Sequence, residues 1–317
     1  MKYAYYPGCS MSHNAAAYDQ SFRAVMEILA QELVELDDWN CCGATEYFSL
    51  NPLPAYALIA RNLALVEPDT TDLVAPCSAC YLNLVKTDDH MGKYPQIGSD
   101  VNEALAEARM NYQPGAVKVR HALDAIYTDV GLDVVKAHVT HPLTNLRLAP
   151  YYGCLIVRPE HGFDDPEYPM SLDHLFEALG ASVIDYPLKA ACCGGHMPQI
   201  SPEAAFGLIH EIMATAVDRG ADALVTVCPM CHLNIDMFQD QANRHFGTNY
   251  SMPILYFTQI MGLAYGLSAK AMGFGQELVS AQRVLDKLAQ PLEEVKTKKP
   301  RRDKQALPMP SAREMTK

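Results

Sequence analysis

At 317 residues, with 49% apolar and 20% charged side chains, the chain is long enough for about two domains with ordinary hydrophobic cores and needs no covalent staple. No run approaches the ~20 apolar residues of a membrane-spanning helix. A formal charge of −12 argues against general nucleic-acid binding, which requires a surplus of Lys and Arg.

The stretch from Met1 to Cys9 lacks the basic start, apolar core and small-residue cleavage site of a secretory signal, so a reducing cytoplasm is expected, with no integral membrane segment. From there short apolar runs alternate with amphipathic segments. Strands are expected at 3–6, 32–36 and 73–75, with helices at 18–31 and 53–66. The order then repeats, with strands at 149–152, 182–186 and 223–227 and helices at 171–179 and 204–217. This is the pattern of βαβ units around a mostly parallel sheet, met twice. The expected fold is α/β: two duplicated Rossmann-like domains related by a pseudo-two-fold axis. The first domain is placed at 1–140 and the second at 141–288, the boundary falling in 131–146, where strand and helix signals lapse. A basic tail follows at 289–317. It carries Lys296, Lys298, Lys299, Arg301, Arg302 and Lys304 and no apolar period, and reads as a solvated end or a partner-docking segment.

The ten cysteines make the duplication explicit. Cys9, Cys41, Cys42, Cys77 and Cys80 are followed by Cys154, Cys192, Cys193, Cys228 and Cys231. Cys192 follows Cys41, and Cys228 follows Cys77, by the same 151 residues. The flanks repeat too: Tyr5-Tyr6-Pro7-Gly8-Cys9 against Tyr151-Tyr152-Gly153-Cys154, and Cys41-Cys42-Gly43 against Cys192-Cys193-Gly194. In this reading Cys9, Cys77, Cys154 and Cys228 stand just past the carboxyl ends of strands, where open α/β sheets place their ligands.

In a reducing compartment such cysteines point to metal or redox chemistry rather than to disulfides. Four thiolates complete either a zinc site or an ordinary iron–sulfur cluster. Each copy has five, and adjacent cysteines reach a single small ion with difficulty. A multi-iron cluster offers separate irons to neighbouring thiolates, and the spare cysteine favours it, with zinc as the alternative. Gly43, Gly194 and Gly195 remove side chains where backbone N–H groups would approach cluster sulfur. Pro229 after Cys228 marks the first turn of a helix whose positive end would face an anion.

The two five-cysteine patterns, and the segment from Pro253 to Ala264 as well, resemble the tandem cysteine-rich (CCG) domains of the family formed by the B subunits of heterodisulfide reductases. The resemblance covers about 290 residues. It implies two non-cubane [4Fe-4S] clusters close together at the domain interface, one held by Cys9, Cys41, Cys42, Cys77 and Cys80, the other by Cys154, Cys192, Cys193, Cys228 and Cys231. It also implies a thiol:disulfide oxidoreductase that cleaves or forms a disulfide between the clusters. Electrons would be exchanged through a ferredoxin-like iron–sulfur subunit and, beyond it, a flavoprotein subunit. Methanogen members carry a histidine after the first cysteine of the second motif. Leu155 stands there in this chain, which turns the resemblance toward bacterial sulfur-oxidation members and a carrier-bound sulfur substrate. Related tandem subunits instead relay electrons from a succinate dehydrogenase-like enzyme to membrane quinone. That is the rival reading, with 258–274 and the basic tail as membrane-facing segments.

The candidate catalytic residues are His196, in Cys192-Cys193-Gly194-Gly195-His196, and His232, since a thiol product needs a proton near neutral pH. Either could instead be structural, His196 hydrogen-bonded to sulfide and His232 satisfied by backbone. His121 is a lesser candidate. Cys228-Pro229-Met230-Cys231-His232 matches a haem-attachment motif, but its counterpart Cys77-Ser78-Ala79-Cys80-Tyr81 lacks the histidine. Tyr5, Tyr6, Tyr151 and Tyr152 read as strand-core residues, and Trp39 as a shield against water. Gly273-Phe274-Gly275 is no dinucleotide fingerprint, so electrons are expected to come through a partner.

Overall fold

The computed structural model describes residues 1–44, 47–66, 70, 72–160 and 162–290. The first half runs β1 (Lys2–Tyr5), α1 (Ala16–Ile28), β2 (Glu32–Glu35), α2 (Tyr47–Leu50), α3 (Pro52–Ala64), β3 (Asp72–Ala75), α4 (Ser78–Lys93), α5 (Pro95–Ala106), β4 (Lys118–His121) and α6 (Ala122–Asp124). A π-helical turn (Ala125–Val130) and α7 (Leu132–Ala137) complete it. The second half runs β5 (Arg147–Tyr151), α8 (Ser171–Ala178), β6 (Ser182–Val183), α9 (Met197–Ile200), α10 (Pro202–Asp218), β7 (Ala223–Thr226), α11 (Pro229–Phe246), β8 (Ile254–Tyr256), α12 (Phe257–Ala264) and α13 (Gln282–Ala289).

Each half has a four-stranded sheet, in the orders β2-β1-β3-β4 and β6-β5-β7-β8, and every pairing is parallel. The duplicated α/β reading of the sequence therefore holds. The central strands are apolar almost throughout and buried, β7 at all four positions, as expected for strands covered on both faces. Helices α3, α5, α10 and α11 open on proline, whose missing N–H costs nothing in a first turn. Helix α11 ends on Gly247 at φ +67°, a left-handed cap that side chains disfavour.

The halves exchange helices across their boundary. Helix α12 of the second half packs on α1 of the first, while α7 of the first packs on α8 of the second. These are equivalent pairs, and a contact of equivalents is what an approximate two-fold axis produces. Buried Ser21 and Thr258 hydroxyls join α1 to α12 at 2.6 Å, and the Tyr127 hydroxyl lies 2.9 Å from His174 Nδ1. One hydrophobic core runs through both halves, and a smaller one lies wholly in the second.

Three expectations need correction. The stretch 131–146 is no lapse, since α7 occupies its first part and packs by Val135. The strand expected at 182–186 ends at Val183: Pro187 has no N–H with which to extend the ladder, and the Tyr186 hydroxyl turns inward to the Ile212 carbonyl at 2.8 Å. The segment 258–274 presents no membrane-facing surface along its first half, because Thr258, Gln259, Ile260, Met261, Gly262 and Ala264 are all buried against α1 and the core. Among the described residues no helix is long and apolar enough to cross a membrane. The basic run 296–304 lies outside the described residues.

Candidate metal centres

In each sheet the chain order reverses between the two central strands, β1 and β3 or β5 and β7, and the crevice at their carboxyl ends is where such sheets bind ligands. Cys9 follows β1 and Cys77 follows β3; Cys154 follows β5 and Cys228 follows β7. Cys77 and Cys228 are the N-cap residues of α4 and α11, so Cys80 and Cys231 sit in the first turns of those helices. The adjacent pairs Cys41-Cys42 and Cys192-Cys193 arrive on the loops leading to α2 and α9. All ten cysteines thus lie at the carboxyl edges of the two sheets.

The sulfurs meet in pairs: Cys9 and Cys41 at 3.5 Å, Cys42 and Cys80 at 3.3 Å, Cys193 and Cys231 at 3.4 Å. Cys154 and Cys192 are neighbours whose thiols perturb each other, as are Cys77 and Cys228 across the boundary between the halves. No three His, Cys, Asp or Glu side chains among the described residues form a single-ion site. Cys9, Cys41 and Cys192 are exposed, Cys154 is half-buried, and the other six are buried. Each set therefore has a wet rim and a dry floor, and the two floors touch.

The loops that carry the paired cysteines are fixed by residues that repeat with them. The Tyr6 hydroxyl donates to the Asn40 carbonyl at 2.7 Å, and the Tyr151 hydroxyl to the Ala191 carbonyl at 2.7 Å, in each case one residue before the Cys-Cys pair. Both tyrosines are buried, as their strand positions implied. Asn83 Nδ2 donates to the Cys42 carbonyl at 3.2 Å and Asn234 Nδ2 to the Cys193 carbonyl at 2.7 Å. These asparagines were not singled out in the sequence, although the signal was present: Cys80-Tyr81-Leu82-Asn83 against Cys231-His232-Leu233-Asn234. Lys189 was missed as well. Its ammonium, 1% exposed, donates to Asp173 Oδ1 at 2.8 Å, and its carbonyl accepts from Tyr152 N–H and Gly153 N–H, the turn that delivers Cys154.

Backbone amides approach the sulfurs as the glycines implied. Gly43 N–H donates to Cys41 Sγ, Gly194 N–H to Cys192 Sγ and Gly195 N–H to Cys193 Sγ, each at 3.4 Å. The neighbouring Cys42 and Cys9 thiols, with the Gly43 amide, hold the pKa of Cys41 down to about 2 against its burial. Cys154, with the Gly194 amide and the Arg158 charge, lowers Cys192 to about 6. Their partners move the other way: Cys9 is raised chiefly by the neighbouring Cys41 thiol and Cys154 by the neighbouring Cys192 thiol. Cys228 is held far below the ordinary thiol range by Cys231, Cys77 and the amides of its helix N-terminus. Thiolate ligands are the form that metals bind.

The donor set suits a sulfur-bridged iron cluster. In the second half a cavity of about 290 Å³ is lined by Cys154, Cys192, Cys193, Cys228 and Cys231 with Gly194 and Gly195. The turn glycines leave no room for more: a Cβ on Gly153 would stand 2.8 Å from Cys231 Sγ, and one on Gly8 3.0 Å from Cys80 Sγ. Thiols at the rim and floor, amides aimed at sulfur and the absence of side chains at the turns are what an anionic cluster requires.

The histidines separate by place. His196 lines the cavity beside Met197 and Met230. His232 lies behind it, buried, its ring stacked on Tyr256 at 4.2 Å; burial lowers its pKa to about 4, opposed by a bond to the Ile254 carbonyl. His121 ends β4, where its Nδ1 accepts from Leu123 N–H at 3.1 Å. Trp39 packs edge-on against Tyr6 at 5.5 Å, so it covers the tyrosine that holds the first Cys-Cys loop.

Fold and sites together define a protein of two cysteine-rich α/β domains with five thiols at each sheet edge. The family model described as "Cysteine-rich domain" matches residues 3–85 and again 148–236. The 8-methylmenaquinol:fumarate reductase membrane anchor subunit of Wolinella succinogenes is 32% identical over 285 residues, covering 89% of this chain and 99% of that one. The B subunit of the ferredoxin/F(420)H(2)-dependent CoB-CoM heterodisulfide reductase of Methanosarcina acetivorans is 32% identical over 292 residues, covering 90% and 97%. A protein of Archaeoglobus profundus, named for its likeness to the B subunit of heterodisulfide reductase, is 33% identical over 273 residues, covering 84% and 91%. The crystal structure of a hypothetical protein from Helicobacter pylori shares the fold, with a TM-score of 0.71 at 15% identity, over 88% of this chain and 52% of that one. The chain belongs to the heterodisulfide reductase B-subunit family of iron–sulfur oxidoreductase proteins.

Proposed function

We propose that the chain is the disulfide-handling subunit of a heterodisulfide reductase-like complex, with residues 1–140 and 141–288 as its two cysteine-rich domains and a cytoplasmic location. Cys9, Cys41, Cys42, Cys77 and Cys80 hold one [4Fe-4S] cluster and Cys154, Cys192, Cys193, Cys228 and Cys231 the other, both of non-cubane form. When bound, the clusters supply single-electron storage beside the substrate sulfur. The observation that carries this reading is the contact between Cys77 and Cys228, which brings the two sets to one junction, so that the two halves of a disulfide can each face one set.

The protein's own residues do the rest. Apolar Leu155, Met197, Met230 and Ile200 line the cavity beside the thiols and give a substrate sulfur an apolar wall. His196, at the same wall, is the proton donor to a departing thiolate, while His232, stacked and buried, is the weaker candidate for that task. Leu155, where the methanogen pattern has histidine, supports a carrier-bound sulfur compound as substrate. Electrons are exchanged through a ferredoxin-like subunit and a flavoprotein. The test is electron paramagnetic resonance on anaerobically purified protein titrated with oxidant, with and without small thiols. A thiol-dependent signal that is lost in Cys41→Ser or Cys192→Ser supports the reading; clusters that titrate without any response to thiol contradict it.

A second reading is an electron relay between a dehydrogenase and quinone, favoured by the similarity to a relative named as the membrane anchor of a menaquinol:fumarate reductase. Fractionation separates the two, since a quinone-linked subunit sediments with membranes.

A further inference from the structure

Tyr256 ends β8 at the junction of the two halves, and its ring is held from both sides. Tyr18 of the first half stacks on it at 4.4 Å and 12°, and His232 of its own half at 4.2 Å and 10°. The side chain is 2% exposed. Its backbone N–H is satisfied by Gln259 Oε1 at 2.9 Å, but its hydroxyl has no hydrogen-bond partner among the described residues. Buried phenols almost always find one, because an unmade hydrogen bond costs the whole desolvation of the group. Tyr256 pairs with Thr226, two residues before Cys228, and Tyr18, stacked on its ring, donates to the Val227 carbonyl, so the ring lies against the strand end that leads into Cys228.

The equivalent position in the first half is filled differently. Tyr256 pairs with Thr226 as His121 pairs with Ala75, and Thr226 and Ala75 are separated by the 151-residue repeat. His121 Nδ1 accepts from Leu123 N–H, so Nε2 carries the ring hydrogen. That hydrogen is used within the protein, near Ser78 Oγ at 3.4 Å and the carbonyls of Pro76 and Val227. Tyr18, the neighbour in the stack, also spends its hydroxyl, on the Val227 carbonyl at 3.2 Å. Among these described groups around the junction, the Tyr256 hydroxyl is the donor left without a partner.

We propose that the Tyr256 hydroxyl donates a hydrogen bond to a non-protein sulfur anion at the Cys77–Cys228 junction, a thiolate ligand or the inorganic sulfide of the resident cluster. The phenol keeps its proton throughout, since burial holds its pKa well above the ordinary value, so the step is donation without transfer. The thiolate form of the inference rests on the function proposed above; the sulfide form does not.

The test is Tyr256→Phe, which removes the oxygen and leaves both stacks, with Tyr18→Phe as comparison. Two quantities are read on the anaerobically purified protein: the midpoint potential of its clusters without thiol, and the concentration of 2-mercaptoethanol at half-maximal spectral change. A hydrogen bond to a charged acceptor is worth about tenfold or more in an equilibrium constant. If the acceptor is cluster sulfide, Tyr256→Phe lowers the potential by about 59 mV, the one-electron equivalent of tenfold. If it is thiolate, the potential stays and thiol binding weakens about tenfold. Tyr18→Phe, whose hydroxyl serves a carbonyl, leaves both quantities near wild type. A Tyr256→Phe protein with wild-type potential and wild-type thiol response overturns the inference. A wild-type protein that ignores thiol, with a potential shifted by Tyr256→Phe, supports the sulfide form and defeats the disulfide reading alone.

Discussion

The thiol of Cys77 neighbours the thiol of Cys228, its counterpart 151 residues later, across the boundary between the two halves, and each perturbs the other. A residue that touches its own repeat marks the pseudo-two-fold axis, and here the axis passes between the floors of the two cysteine sets. Cys77→Ser is therefore expected to disturb both sets, lowering iron content and changing the resonance spectrum of the cluster that remains. Cys9→Ser, at the exposed rim beside Cys41, is expected to disturb only its own. Resonance spectra of the two variants, normalised to iron, check this.

Gly153 stands at φ +69°, with Cys231 Sγ 2.8 Å from where a Cβ would sit. Gly153→Ala is expected to lose about 1–2 kcal/mol to the left-handed backbone and to lose iron from the second set as well. Gly247, at φ +67° with nothing within 4 Å, provides the control: Gly247→Ala carries the backbone cost and keeps its iron. Iron analysis beside denaturant titration separates the two.

Lys189 and Asp173 form a buried pair at 2.8 Å behind the Cys154 turn. Burial raises the Asp173 pKa even against the pull of Lys189. Lys189→Met leaves the carboxylate buried without its cation and is expected to cost about 3 kcal/mol. Lys189→Met combined with Asp173→Asn, which leaves no charge to bury, is expected to regain most of it. Denaturation midpoints of the single and double variants give the answer.

Burial lowers the His121 pKa from 6.5 to about 4. The folded protein thus prefers the neutral ring, and the unfolded chain takes up a proton first as pH falls. Stability is complete above about pH 6.5 and declines as pH falls toward 4. At pH 5 this one group accounts for a loss of about 2 kcal/mol relative to pH 7. His121→Gln, which cannot titrate, is expected to flatten that part of the acid limb in denaturant titrations at the two pH values.

Much of this was legible in the sequence because duplication writes the same constraint twice. The cysteine spacing marked the two groups of thiols that the sheets gather at their carboxyl edges, and Tyr-Tyr-(Pro)-Gly-Cys marked the strand ends that carry Cys9 and Cys154. Asn83 and Asn234 were equally repeated, but polar residues inside a helical pattern read as surface until their carbonyl partners are seen. Lys189 could not be found by repetition: its counterpart is Asp38, which pairs on the surface with Arg61. The exchange of helices between halves was hidden for a similar reason, since α12 is apolar nearly all round and its partner α1 lies in the other half. Apolar periodicity tells a helix which face to bury, not against what. The orphaned hydroxyl of Tyr256 is a property of its surroundings and has no signature along the chain.

The measurement that bears most directly on the whole account is iron and acid-labile sulfide per chain in anaerobically purified protein, for wild type and for Cys42→Ser and Cys193→Ser. Two [4Fe-4S] clusters give about eight irons and eight sulfides, and each variant is expected to fall by about half while retaining the other set. Zinc in place of iron, or a full complement of iron in both variants, would contradict the assignment of one cluster to each five-cysteine set.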